Sequence, residues 1–84
     1  MFNLANYERE IRSGATKAGI SDKEALSKFI YNLAVMRPHF TIFDNALDFR
    51  AMGQEWNALS SDNRNAQKQA ILSKPIRARS LGNL

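Results

Sequence analysis

Apolar residues recur at steps of three and four along most of this chain, and no stretch alternates as a half-buried strand requires. Leu4, Tyr7, Ile11, Ala15 and Ala18 form the first such stripe, with Glu8, Glu10 and Arg12 on other faces. Gly14 weakens the middle of that helix by up to ~1 kcal/mol relative to alanine, and Gly19 suits a left-handed cap that ends it. Ser21-Asp22-Lys23-Glu24 has capping-box spacing, and two acids in a first turn complement the helix dipole. Ala25, Leu26, Phe29, Ile30, Leu33 and Ala34 then make one broad face. Pro38 disfavours helical geometry at Arg37, which predicts a stop near Met36.

After a connection over 37–41, Thr41 has Asp44 three residues on and can open a third helix. Phe43, Ala46, Leu47, Met52, Trp56 and Leu59 continue the apolar set, with Phe49 beside it, so the spacing predicts a helix over 42–59. Trp56 belongs to its buried stripe, and Gly53, one turn earlier, leaves room for a neighbouring helix. Ser60 and Ser61 follow because one helix must end and another begin. A serine oxygen satisfies the first free amides of a fourth helix, whose opening Asp62 and Asn63 favour. Ala66, Ala70, Ile71 and Leu72 give that helix its core side, and Pro75 ends it. The remaining PIRARSLGNL shows no periodicity. The expected fold is therefore all-α: a small four-helix domain with short loops over 1–74 and a flexible basic C-terminal tail over 75–84. Its core should lie around Phe29, Leu33, Phe43, Leu47 and Trp56.

With 84 residues the chain makes one small domain, and such a domain buries only about 60% of the surface its unfolded form exposes. The absence of cysteine excludes disulfides and thiolate metal sites. No apolar run approaches the ~20 residues of a membrane span, and MFNLANYERE turns charged without the apolar core of a signal peptide. The expected compartment is the cytoplasm, or a nucleus-like compartment, with no membrane partner.

Charge is unevenly placed. Residues 1–62 hold seven cations and all eight acids, net −1, whereas 63–84 hold five cations and no acid, net +5. A neutral body with a cationic end suits an anionic partner; a solvated tail that maintains solubility is the plain alternative. Arg64 and Lys68, four apart, share a helix face, and Ala66 and Ala70 share a different one. The fourth helix thus reads as alanine toward the core and cations toward solvent, with Lys74, Arg77 and Arg79 extending the track. Asn63, Asn65, Gln67 and Gln69 add uncharged groups of the kind that contact phosphates and base edges.

Catalytic constellations are missing. His39, the only histidine, lies beside Pro38 in a connection without a metal-ligand motif. Asp44 and Asp48 are four apart, with Glu55 almost two turns on, and read as a solvated face rather than a metal site. The serines sit where caps are needed, with no base placed to activate them. No enzyme activity, cofactor or metal is expected.

Two families share short motifs with this sequence. ALSKF followed by MGQEWNALSSDNR, within 25–64, resembles the HMG box: Ala25 and Phe29 stand for its opening aromatic region, and Met52-Gly53, Trp56, Leu59, Ser60 and Arg64 match its later pattern. That resemblance implies an L-shaped three-helix fold that binds and bends DNA through the minor groove. Here AGISDKE is acidic before the first of these helices, and Gln67 stands where the family has an aromatic. SDKEALSKFIY, LDF and WNAL resemble pieces of the acyl-CoA-binding proteins, in the same order. The tyrosine and lysine that grip the acyl-CoA in that family are replaced by Asn32-Leu33-Ala34-Val35.

The expected role is non-enzymatic nucleic-acid binding, with DNA as partner, in an accessory or regulatory protein. Arg64, Lys68, Lys74, Arg77 and Arg79 would contact phosphates. Phe40 and Phe43, flanking Thr41, are further candidates for an apolar contact with bases, with core packing the preferred role for Phe43. The alternative is a protein-interaction module, such as a phage- or plasmid-type inhibitor or adaptor, with Phe2, Leu4 and Tyr7 in a docking surface or homodimer contact. An acyl-CoA-binding-like carrier is the third reading.

Overall fold

The computed structural model describes the backbone of residues 1–82 and the side chains of residues 1–73. A 3-10 turn at Leu4–Tyr7 leads into α1 (Glu8–Ala18), followed by α2 (Asp22–Val35), α3 (Phe49–Asn57) and α4 (Ser61–Gly82). The punctuation acts as the local chemistry requires. Gly19 ends α1 at φ 70°. The Ser21 hydroxyl accepts the Glu24 amide at 3.0 Å and opens α2. α2 stops at Met36, itself left-handed at φ 58°, and Ser60 Oγ accepts the Asn63 amide at 3.1 Å to open α4.

The third helix is shorter than its spacing predicts. It starts at Phe49, not at residue 42, because two aspartates hold backbone amides in non-helical geometry. Asp44 Oδ1 accepts the Ala46 amide at 2.9 Å, and Asp48 Oδ1 accepts the Ala51 amide at 3.1 Å as the cap of α3. Short acidic side chains compete in this way with the helix ladder. Residues 37–48 consequently form an irregular strap, tied down by Asn32. This fully buried side chain donates Nδ2 to the Phe40 carbonyl and accepts the Phe40 amide at Oδ1, both at 2.9 Å. The strap carries Phe43 inward, its ring edge-on to Phe29 at 5.1 Å between centroids.

α2 packs against both α1 and α3, and its Phe29 and Leu33 are completely buried. Phe43 and Trp56 join them as the spacing predicts, while Leu47 is only half-buried at the margin. Gly53 lies where α3 crosses the end of α2; a Cβ there would overlap the Leu33 carbonyl oxygen. The expected space for a neighbouring helix is used in full.

The N-terminal segment is core, not surface. Phe2 and Leu4 are buried and Tyr7 is half-buried. Phe2 stacks on Tyr7 at 5.5 Å and meets Trp56 edge-on at 5.7 Å. Burying a side chain of this size stabilises by about 1.5–3 kcal/mol; of the docking surface expected of Phe2, Leu4 and Tyr7, the first two lie in the core and only Tyr7 keeps part of its surface exposed. Gln67 fastens the segment to α4: its Oε1 accepts the Leu4 amide at 2.7 Å and its Nε2 donates to the Phe2 carbonyl at 3.3 Å. The same Nε2 donates to Asn63 Oδ1 at 2.8 Å.

That attachment reverses the expected orientation of α4. Ala66 and Ala70 are exposed, while Asn63, Arg64, Gln67 and Lys68 are half-buried on the side of buried Ile71. A methyl group cannot satisfy the free backbone groups of an entering chain, whereas a glutamine amide can. α4 also runs past Pro75, where the sequence reading ended it. An interior proline removes a ladder bond and crowds the preceding turn, which is a penalty rather than a prohibition. The side chains of Lys74, Arg77 and Arg79 lie outside the described residues, as do residues 83–84 of the expected tail.

Candidate nucleic-acid interface

The described cations expected to contact phosphate have separate employments. Arg64 Nη1 donates to the Leu59 carbonyl at 2.7 Å and to the Asn57 carbonyl at 3.4 Å. It thereby satisfies carbonyls left free at the end of α3, where a cation also suits the negative end of the helix dipole. Arg64 is a half-buried structural residue, withdrawn from the track on which the sequence placed it. Charged donors to carbonyls contribute about 1.5–3 kcal/mol when buried, and half-exposure lowers this to about 1 kcal/mol. Arg64→Ala should therefore lower Tm by about 4–8 °C, measured by circular dichroism. An unchanged Tm would show that this cap does not stabilise the fold.

Lys68 stays at the surface, and α4 sets it across a shallow hollow from Lys23 of α2. Ser27 and Ile30 form the floor between α4 and α2. They also border a second hollow, lined by Lys28, Tyr31 and Phe40. The two hollows are thus one continuous face, running from Lys68 over the outer side of α2 to the strap. Lys23, Lys28 and Lys68 line it against a single acid, Glu24. Glu24 lies 3.9 Å from Lys28 with more than half its side chain in solvent, an arrangement that neutralises little.

The α1 side differs in electrostatic character. Glu8, Glu10, Arg9 and Arg12 line its hollow in equal numbers, and Arg12 is locked onto Glu8 at 2.6 Å. Toward the strap, Arg9 and Lys17 oppose Glu10 and Asp44. The α2–α4 face therefore carries the cationic excess among the described hollows. Sequence spacing missed Lys23 and Lys28 because a cation in the first turns of a helix resembles an ordinary solvated charge. Only the packing of α4 beside α2 brings them toward Lys68.

The strap half of this face is aromatic. Tyr31, His39 and Phe40 contact one another edge-on, with centroid separations of 4.8–5.5 Å. The Lys28 ammonium sits 4.2 Å above the Phe40 ring. Of the two phenylalanines proposed for base contact, Phe40 is half-buried in this cluster and Phe43 is a core residue. His39 is exposed. Among the described residues no three His, Cys, Asp or Glu side chains gather to hold a metal ion. Asp44 and Asp48 each accept a nearby amide instead. No helix among the described residues is long and apolar enough to cross a membrane.

Comparison with family models, curated proteins and solved structures finds no match. The likenesses to the HMG box and to the acyl-CoA-binding proteins rest on the quoted residues alone.

Proposed function

We propose that this chain is a non-enzymatic nucleic-acid-binding protein of accessory or regulatory role, with DNA as partner, and that it binds through the face spanning α2 and α4. One observation carries this reading: Lys23, Lys28 and Lys68 line a continuous face holding one acid, while the α1 hollows are charge-balanced. Lys74, Arg77 and Arg79 follow Lys68 in sequence and would lengthen the phosphate track. An enzyme would need convergent acid, base or nucleophile groups, which this face does not offer.

Three lysine–phosphate contacts give a slope of log affinity against log salt of about −2.7 on duplex DNA, and six give about −5. Titration of a fluorescent duplex at several salt concentrations should return a slope in that range. Replacing Lys23 and Lys68 by alanine should reduce its magnitude by about 2. Arg64→Ala should leave the slope unaltered. Absence of binding to duplex and single strand alike at low salt would reject the function, and an unchanged slope in the double variant would move the site elsewhere.

A further inference from the structure

Resting on that reading, the geometry points to an unpaired strand, rather than an intact duplex, as the ligand of this face: a base stacks on the Tyr31–His39–Phe40 cluster while phosphates lie against Lys28, Lys23 and Lys68. In a duplex the base faces are occupied by their neighbours and only edges show in the grooves. An unpaired base offers its whole π-face, for which exposed aromatic rings are the natural platform. Tyr31 is 45% exposed although it touches two other rings, so it combines accessibility with restraint.

The platform is also held in place before any ligand arrives. Asn32 grips the Phe40 backbone at both its N–H and its C=O. Edge-on contacts fix the three rings relative to one another. Ordered groups lose little entropy on binding, so more of the stacking energy becomes affinity. The ammonium of Lys28 lies at the aromatic cluster itself, where the backbone of a stacked nucleotide needs a counter-charge. Lys23 lies eight residues before Tyr31 on α2, about 12 Å along the helix, and Lys68 lines the same hollow from α4. The aromatic cluster with Lys28, and the hollow lined by Lys23 and Lys68, thus border one another through Ser27 and Ile30, so a strand could lay a base on the first and phosphates toward the second. Lysines alone would equally suit an acidic peptide. Planar stacking surfaces beside them favour a nucleic acid.

Fluorescence anisotropy with the full chain tests this, using labelled oligothymidylate and oligouridylate of about 20 nucleotides and a duplex of equal length. The single strands should bind at least about tenfold tighter than the duplex, and the thymidylate and uridylate arms tell DNA from RNA. Tyr31→Ala should weaken single-strand binding about tenfold with an unchanged salt slope, and Tyr31→Phe should restore it. Lys23→Ala should instead reduce the magnitude of the slope by about 0.7, the share of one phosphate on a single strand. Circular dichroism confirms that each variant is folded. Duplex binding without single-strand preference overturns this inference and leaves the proposed function standing; failure of every nucleic acid at low salt overturns both. Displacement of the strand by polyglutamate at equal charge concentration would overturn the stacking assignment in favour of an acidic peptide.

Discussion

Gly53→Ala should lower Tm by about 10–20 °C, although alanine is the better helix former by about 1 kcal/mol. The added methyl would overlap the Leu33 carbonyl oxygen and come within 2.6 Å of Met36 Cγ and 3.2 Å of Met36 Cα. The Met36 side chain can rotate away. The Leu33 carbonyl cannot, because it accepts the Met36 amide at 3.2 Å and Asn57 Nδ2 at the same distance. α3 must then shift off α2 and loosen Trp56 and Met52 with it. Overpacking of this kind costs about 1–3 kcal/mol, and more when backbone must move. A net loss of about 2–3 kcal/mol is large against the roughly 4–12 kcal/mol total expected of a chain this size. Gly14→Ala is the informative control. Its Cβ would meet Phe43 ring atoms at 2.7 and 2.8 Å and the Ile42 carbonyl oxygen at only 3.3 Å, so the closest clash is with a side chain that can pivot rather than with backbone. Thermal melts should therefore rank Gly53→Ala well below Gly14→Ala; equal melting points would show that α3 and α2 are not in close contact at Gly53.

The same contrast between local and distant causes explains which features spacing could reveal. Gly19, Ser21, Pro38 and Ser60 act on amides and carbonyls a few residues away, so the helix limits they set are visible in a short window. The buried stripe through Phe29, Leu33 and Trp56 follows from periodicity alone. The strap does not, because Phe43 and Leu47 keep helical spacing while Asp44 and Asp48 hold the backbone in turns. Nor does the orientation of α4, which is decided by Gln67 bonding to Phe2 and Leu4 more than 60 residues away. A faint signal existed in both places. Asn32 is a lone amide inside the apolar stripe of α2, and Asn63 and Gln67 share a helix face with Ile71. Polar groups set among apolar neighbours require partners. For the proposed binding face, the Arg64 and Lys68 spacing placed both on one side of α4, yet Arg64 caps carbonyls at the end of α3 and only Lys68 lines the cationic hollow.

Asn32 offers the sharper test of how fold and face are coupled, because one side chain holds two backbone groups of the strap. Asn32→Leu keeps the number and branching of side-chain heavy atoms in a fully buried site but leaves the Phe40 N–H and C=O without their partners. Each abandoned group costs about 1–3 kcal/mol, less where water can follow it, giving a loss of about 3 kcal/mol. Asn32→Asp is nearly isosteric and more revealing. Its ionised oxygen would face the Phe40 carbonyl that Nδ2 now donates to, in a buried site, and burial together with that dipole disfavours the charged form. The folded variant therefore holds its proton to higher pH than the unfolded chain does. Between those two titrations the native state binds more protons, so stability must rise as pH falls. Once protonated, the carboxyl can donate to the Phe40 carbonyl and still accept the Phe40 amide, restoring the clamp. Urea unfolding across pH should show Asn32→Asp approaching the parent at acid pH and falling away toward neutrality, with Asn32→Leu flat relative to the parent throughout. Since the clamp also sets Phe40 beside Tyr31 and His39, single-strand affinity of the folded fraction should follow the same pH trend in Asn32→Asp. A variant whose stability ignores pH would mean that the amide contributes nothing to holding the strap against α2.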